Sequence, residues 1–83
     1  MEDRDYMPVV VAAKYLSDYK IHLTFDNGIE KIADCSKWLK GGIFEPLKDK
    51  EYFKQFFVDS WTISWENGAD IAPETLYKES EPA

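Results

Sequence analysis

Thr24-Phe25-Asp26-Asn27-Gly28 and Ser64-Trp65-Glu66-Asn67-Gly68 are two versions of one pentapeptide: a hydroxyl residue, an aromatic, an acid, then Asn-Gly. Each ends a run in which apolar and polar residues alternate. Asn-Gly can supply the two positive φ angles of a type I′ turn, whose twist suits the strands that it joins. The pair therefore predicts two β-hairpins, and the fold is organised around them.

Before the first Asn-Gly, Tyr19, Ile21, Leu23 and Phe25 alternate with Lys20, His22 and Thr24, the period-two mark of a strand with one buried face. Val9 to Leu16, β-branched at its start and preceded by Pro8, reads as a strand before it, with Ser17-Asp18 as the turn. A two-residue Asn27-Gly28 loop would set Phe25 opposite Glu30, Leu23 opposite Ile32 and Ile21 opposite Asp34. Acids would then hold two of three core-side positions on the return strand. That strand is expected to be short, at an edge, or bulged so that Ile29 turns inward.

Downstream, Ser36 can cap a short helix over Lys37-Trp38-Leu39-Lys40, ended by Gly41-Gly42. Asp49 can cap a second, on which Tyr52, Phe53 and Phe56 form an apolar stripe; the stripe reads as core packing rather than as a cofactor-stacking box. Trp61, Ile63 and Trp65 alternate with Thr62 and Ser64 as a further strand, and Pro73 suits the first position of a last helix. Two copies of a motif do not make a solenoid. The expected fold is α+β: a small antiparallel sheet of four to five strands built on hairpins, with two or three short helices packed against it.

With 83 residues the chain holds one domain, 1–83, with an ordered core of about 8–78 and acidic, frayed ends (Glu2, Asp3 and Asp5; Glu79 and Glu81). Three Trp, five Tyr and five Phe compensate for the small size, since each buried ring removes ~150–250 Å² from water. The longest apolar stretch, Val9 to Ala13, is far short of the ~20 residues a bilayer span needs, and the lone Cys35 permits no internal disulfide. Both point to a cytoplasmic protein.

The net charge of −6 argues against a free-standing nucleic-acid binder, because such affinity comes largely from cations that displace phosphate counterions. Lys37, Lys40, Lys48, Lys50 and Lys54 make the middle third slightly basic, but Glu45, Asp49 and Glu51 lie among them, which suits a solvated face of mixed charge. Catalytic signals are sparse. In the expected register Cys35 is the diagonal neighbour of His22, the one histidine, at ~7–8 Å, too far for a nucleophile and its base. Asp70 and Glu74 stand four apart, but with Pro73 starting the helix between them they do not share its face; Glu74 suits the first turn, where an acid complements the helix dipole. No cofactor, metal set or glycine-rich phosphate loop is implied.

The second Asn-Gly runs on as Trp65-Glu66-Asn67-Gly68-Ala69-Asp70-Ile71-Ala72-Pro73-Glu74-Thr75-Leu76-Tyr77. From Ile63 onward this resembles the bacterial DUF2442 family, a domain of unknown function, whose typical ending is Ile-x-Trp-x-Asn-Gly-Ala-Asp-Ile-x-Pro-Glu-x-Leu-Tyr. Leu23 to Gly28 and Gly42-Ile43-Phe44-Glu45-Pro46-Leu47 fit as well, so the resemblance spans roughly Val10 to Tyr77. Ile29-Glu30 departs from it, reversing the family's usual acid-then-aliphatic order. The resemblance implies a compact α+β domain without an established activity; some members are fused to a helix-turn-helix segment, and some are encoded beside another small protein, as in toxin–antitoxin pairs.

Three functions are expected in descending order. The first is a non-catalytic interaction or regulatory module, antitoxin-like, whose partner is another small, basic protein, with a homo-oligomer as a further form. The second is a small-ligand site or weak enzyme built around Trp65, Asn67, Asp70, Glu74 and Tyr77, which requires a pocket where their polar groups converge. The third is a DNA-associated regulator using the Lys37 to Lys54 stretch.

Overall fold

The computed structural model describes residues 7–83. The alternating segments form an antiparallel sheet: β1 (Val10–Ser17), β2 (Lys20–Phe25) and β3 (Glu30–Asp34) are joined in sequence, and β6 (Glu81–Pro82) closes the far edge in the order β1-β2-β3-β6. A second, two-stranded sheet pairs β4 (Phe57–Asp59) with β5 (Thr62–Ser64). Two short helices, α1 (Lys50–Phe53) and α2 (Pro73–Glu79), and two 3₁₀ segments, Cys35–Trp38 and Gly42–Lys48, complete an α+β fold.

The first hairpin forms with a different turn and therefore a different register. The Phe25 amide donates to the Ile29 carbonyl and the Gly28 amide to the Phe25 carbonyl, both at 2.9 Å. Gly28 has φ 88°, whereas Asn27 is not among the residues with positive φ. The loop is thus three residues long, Asp26-Asn27-Gly28, with the glycine in the left-handed region, a G1 bulge instead of a type I′ turn. Asn27 holds it by accepting the Ile29 amide at Oδ1, 3.0 Å away.

One extra loop residue moves the pairing by one and exchanges the faces of the return strand. Ile21 faces Ala33, His22 faces Ile32 and Leu23 faces Lys31, in place of the expected Ile21–Asp34 and Leu23–Ile32. Ala33 and Cys35 thereby enter the core and the acids leave it. The expected inward turn of Ile29 does not occur; it remains 43% exposed. Nor is β3 an edge, since Lys31 and Ile32 pair with Pro82 and Glu81. The C-terminal acids expected to fray are partly tied into the sheet by this strand; the expected fraying of Glu2, Asp3 and Asp5 lies outside the described residues.

Capping follows the same logic of local acceptors. Asp49 caps α1 as expected, accepting the Glu51 amide at 3.0 Å. Asp34 rather than Ser36 caps the first 3₁₀ segment, because its carboxylate takes both the Ser36 amide (3.2 Å) and the Ser36 hydroxyl (2.8 Å), and these bonds hold its pKa below the ordinary value. The expected aromatic helix is cut short: α1 ends at Phe53, and Phe56 reaches the core from the following turn. Pro73 opens α2, as its fixed φ and missing N–H favour.

The core lies between one face of the larger sheet (Val10, Ile21, Leu23, Phe25, Ala33) and a layer formed by Leu47, Phe53, Ile63, Trp65 and Leu76. Phe53 is its aromatic centre, with Tyr15, Tyr19 and Phe56 edge-on to it and Trp65 tilted against it at 5.7 Å.

Candidate functional site

The second hairpin repeats the first turn atom for atom in its backbone bonding. The Trp65 amide donates to the Ala69 carbonyl and the Gly68 amide to the Trp65 carbonyl, each at 2.9 Å, and Gly68 has φ 93°. Asn67 accepts the Ala69 amide at 3.0 Å. The residues singled out as a candidate site run on from this turn in the sequence, and the structure sends them in different directions.

Trp65 is 1% exposed; its indole N–H donates to the Phe53 carbonyl at 2.9 Å, so both the ring and its polar handle are used inside the protein. Asn67 is at the surface, but its side-chain N–H₂ donates to the Ile43 carbonyl (2.9 Å) and its amide to the Tyr52 hydroxyl (3.1 Å). These bonds fasten the turn to the Gly42–Lys48 segment and to α1. Tyr77, half-buried, packs edge-on to Phe25 at 4.9 Å and accepts the Asn27 side-chain N–H₂ at 3.2 Å, under the Lys31 ammonium 4.2 Å from its ring. Asp70 and Glu74 are exposed. The five residues therefore do not converge: Asn67 serves the second turn, Tyr77 serves the first, and Trp65 faces neither solvent nor a cavity.

Among the described residues, two solvent-open clefts bear on the site. A cavity of about 490 Å³ lies on the outer side of the large sheet, among Leu16, Lys20, Ile32, Asp34, Lys37 and Glu79. Its charges already answer one another, with Lys37 3.7 Å from Glu79 and Asp34 engaged by Ser36. The other, about 370 Å³, is lined by Met7, Pro8, Val9, Trp61, Pro73 and Glu74. Of the five candidates only Glu74 lines either cleft.

Trp61 was expected to share the buried side of its strand with Ile63 and Trp65, yet it is 59% exposed. Strand β5 starts only at Thr62; Ser60, at φ 60°, and Trp61 make the two-residue turn between β4 and β5. The Trp61 backbone is fixed by its carbonyl, which accepts the Val10 amide at 2.9 Å, leaving the ring free. Asp59-Ser60, two turn-forming residues, are the signal in the sequence that could have removed Trp61 from the alternating pattern. Thr62 and Ser64 are buried instead of exposed, and the Thr62 hydroxyl donates to the Ile71 carbonyl.

The expected Cys-His neighbourhood is also absent, for the same one-residue reason. Cys35 is on the core face, fully buried, and burial aided by the Asp34 charge pushes its thiol up to about 12. His22 is on the outer face, where its Nε2 lies 2.9 Å from a Glu30 carboxylate oxygen. Among the described residues no group of His, Cys, Asp and Glu has metal-binding geometry, and no helix is long and apolar enough to cross a membrane. Most lysines of the Lys37 to Lys54 stretch have counter-charges: Lys48 pairs with Glu45 at 3.0 Å and Lys54 with Glu51 at 3.2 Å within it, and Lys50 with Asp18 of the β1–β2 turn at 3.0 Å.

The opposite holds for the segment containing the second hairpin. From Gln55 to Tyr77 there are four acids, Asp59, Glu66, Asp70 and Glu74, and no Lys, Arg or His. None of the four makes an ion pair among the described residues.

No significant match was found among curated proteins or solved structures. The family model described as protein of unknown function (DUF2442) matches residues 10–82, nearly the whole length, hairpins, α2 and closing strand included. The chain belongs to the DUF2442 family.

Proposed function

We propose that the chain is a non-catalytic interaction module that receives a basic segment of another small protein, in the manner of an antitoxin or regulatory subunit. The observation that carries this reading is an exposed Trp61 in a segment whose four acids make no ion pair among the described residues, one of them, Glu74, lining the same cleft as Trp61. Exposed aromatics rimmed by polar groups are typical anchors of protein interfaces, and uncompensated charge of one sign raises the encounter rate with a partner of the other. A DNA-associated role has less support, because the lysines that would contact phosphate are mostly paired. A ligand site on Trp65 to Tyr77 has less as well, since Trp65 is sealed and Tyr77 is committed to the first turn.

The setting that fits this reading is the reducing cytoplasm of a bacterium, in keeping with a single buried thiol. Co-expression with the product of the neighbouring gene tests it. A complex that survives purification at micromolar concentration and weakens with added salt is the expected result; failure of the two chains to associate at that concentration sinks the reading.

A further inference from the structure

The interaction reading leaves open where the partner sits, and the apolar cleft supplies a surface with definite chemistry. Its walls are Met7, Pro8, Val9, Trp61 and Pro73, and its one charged residue is Glu74. Met7 and Trp61, 70% and 59% exposed, are the two most exposed large apolar side chains among the described residues. Apolar area left in water on that scale has a solvation cost that a docked side chain would relieve.

The backbone of the cleft is tied down at two of its walls, since the Val9 carbonyl accepts the Asp26 amide and the Trp61 carbonyl the Val10 amide, both at 2.9 Å. Pro8 and Pro73 add two ring-fixed φ angles, which lowers the chain entropy to be lost there when a partner docks. Charge narrows the occupant. Glu74 makes no ion pair among the described residues, Asp59 precedes the Ser60-Trp61 turn, and the whole segment from Gln55 to Tyr77 lacks a cation. An acidic or phosphorylated segment would be repelled.

Resting on the interaction reading, we infer that the Met7-Trp61-Pro73-Glu74 cleft is the docking site for a partner segment in which an aliphatic side chain stands next to a lysine or arginine. The aliphatic group enters between Trp61 and Pro73, and the cation reaches the Glu74 carboxylate while lying against the indole, where a cation–π contact adds to the pairing. The outer-sheet cavity is not an equivalent site, because it carries charges of both signs, Lys20 and Lys37 beside Asp34, Glu79 and Glu81.

Titration of the isotopically labelled full chain with the peptide Ac-Leu-Arg-Leu-Arg-NH₂, followed by amide and indole NMR shifts, tests the site directly. Saturable shifts at Met7, Val9, Trp61 and Glu74 in the millimolar range are expected, together with about tenfold weaker binding in each of Trp61→Ala and Glu74→Lys, a loss typical of an interface anchor. Both substituted side chains are exposed, so the variants should keep the wild-type spectrum elsewhere. Three outcomes overturn the inference: equal shifts with Ac-Leu-Glu-Leu-Glu-NH₂, shifts confined to another face, or shifts at these residues that grow with protein concentration alone, which would make a second copy the occupant. Shifts on another face leave the interaction reading standing. A co-purified complex that forms normally with Trp61→Ala and Glu74→Lys separates the two in the same way.

Discussion

The two Asn-Gly turns have the same backbone bonds and opposite duties. At Phe25-Asp26-Asn27-Gly28-Ile29 the turn projects from the end of the sheet, Ile29 is exposed, and one contact from outside the hairpin reaches the asparagine, the Tyr77 hydroxyl. At Trp65-Glu66-Asn67-Gly68-Ala69 the flanking Trp65 and Ala69 are buried, and Asn67 is held from two sides by Ile43 and Tyr52. Gly68 also lies beside a neighbour, since a Cβ placed there would be in ordinary contact with the Ile43 side chain at 3.6 Å, whereas one at Gly28 would meet nothing within 4 Å. A turn sequence thus specifies local geometry. Its neighbours decide whether that geometry is a loop tip or a joint between segments.

The comparison breaks most visibly at the tryptophans on either end of β5. Trp65→Ala should cost about 3–5 kcal/mol, because it empties a volume walled by Phe53 and Phe56 and leaves the Phe53 carbonyl without its donor. Trp61→Ala should stay within about 0.5 kcal/mol of wild type, as surface substitutions do. Urea denaturation of both variants checks this; similar midpoints would show that the exposed turn carries core stability after all.

The asparagines sharpen the contrast at a smaller scale. Asn67→Ala removes the acceptor for the Ala69 amide and the donor to the Ile43 carbonyl, at roughly 1 kcal/mol for each bond, so a loss of about 2 kcal/mol is expected. Asn27→Ala also loses two side-chain bonds, but both are at an exposed tip where water substitutes, and about half that loss is expected. Equal losses in thermal unfolding would mean that the joint and the tip do not differ.

Much of this division was legible in the sequence, and the part that was not has one cause. The alternation from Tyr19 to Phe25, the strand after Pro8, the Asp49 cap and the Pro73 helix start follow from short-range preferences, and the structure has them. Asn-Gly, however, serves a two-residue type I′ loop and a three-residue loop with Gly in the left-handed position equally well, and side-chain bonding by Asn27 and Asn67 to the amides two residues on selects the second. That choice moved Ala33 and Cys35 inward, removed the acids from the core and separated His22 from Cys35. At the candidate site the limits were tertiary. Nothing local in Trp65-Glu66-Asn67 says that the ring will be sealed by Phe53, and only the turn residues Asp59-Ser60 hint that Trp61 will not be.

The displaced register of the first hairpin has a consequence in alkali. A Cys35 thiol that ionises near 9.0 in the unfolded chain and near 12 in the folded one keeps its proton longer in the native state. The stability that depends on that proton is complete below about pH 9 and falls as pH rises toward 12, by on the order of 1 kcal/mol at pH 10. Substituting Cys35→Ala should flatten this limb of the stability profile, even though it lowers stability at neutral pH. An unchanged slope in Cys35→Ala would place the alkaline loss on other groups. In the native protein the thiol should react slowly with a disulfide reagent near neutral pH.

The smallest effect is expected on the outer face of the same hairpin. His22 and Glu30 are partly exposed and lie 2.9 Å apart, the kind of surface pair that contributes little once solvent screening and side-chain entropy are counted. His22→Ala should therefore change stability by no more than about 0.5 kcal/mol at neutral pH. The reason that the variant is informative lies across the sheet. With the G1-bulged loop, His22 is on the face opposite Cys35, so its removal should leave the thiol–disulfide exchange rate of Cys35 unaltered; with the two-residue loop the two would be diagonal neighbours and the rate would change. A rate that depends on His22 would mean that the chain populates the other register, and the difference between the two turns would then be one of sequence and not of surroundings.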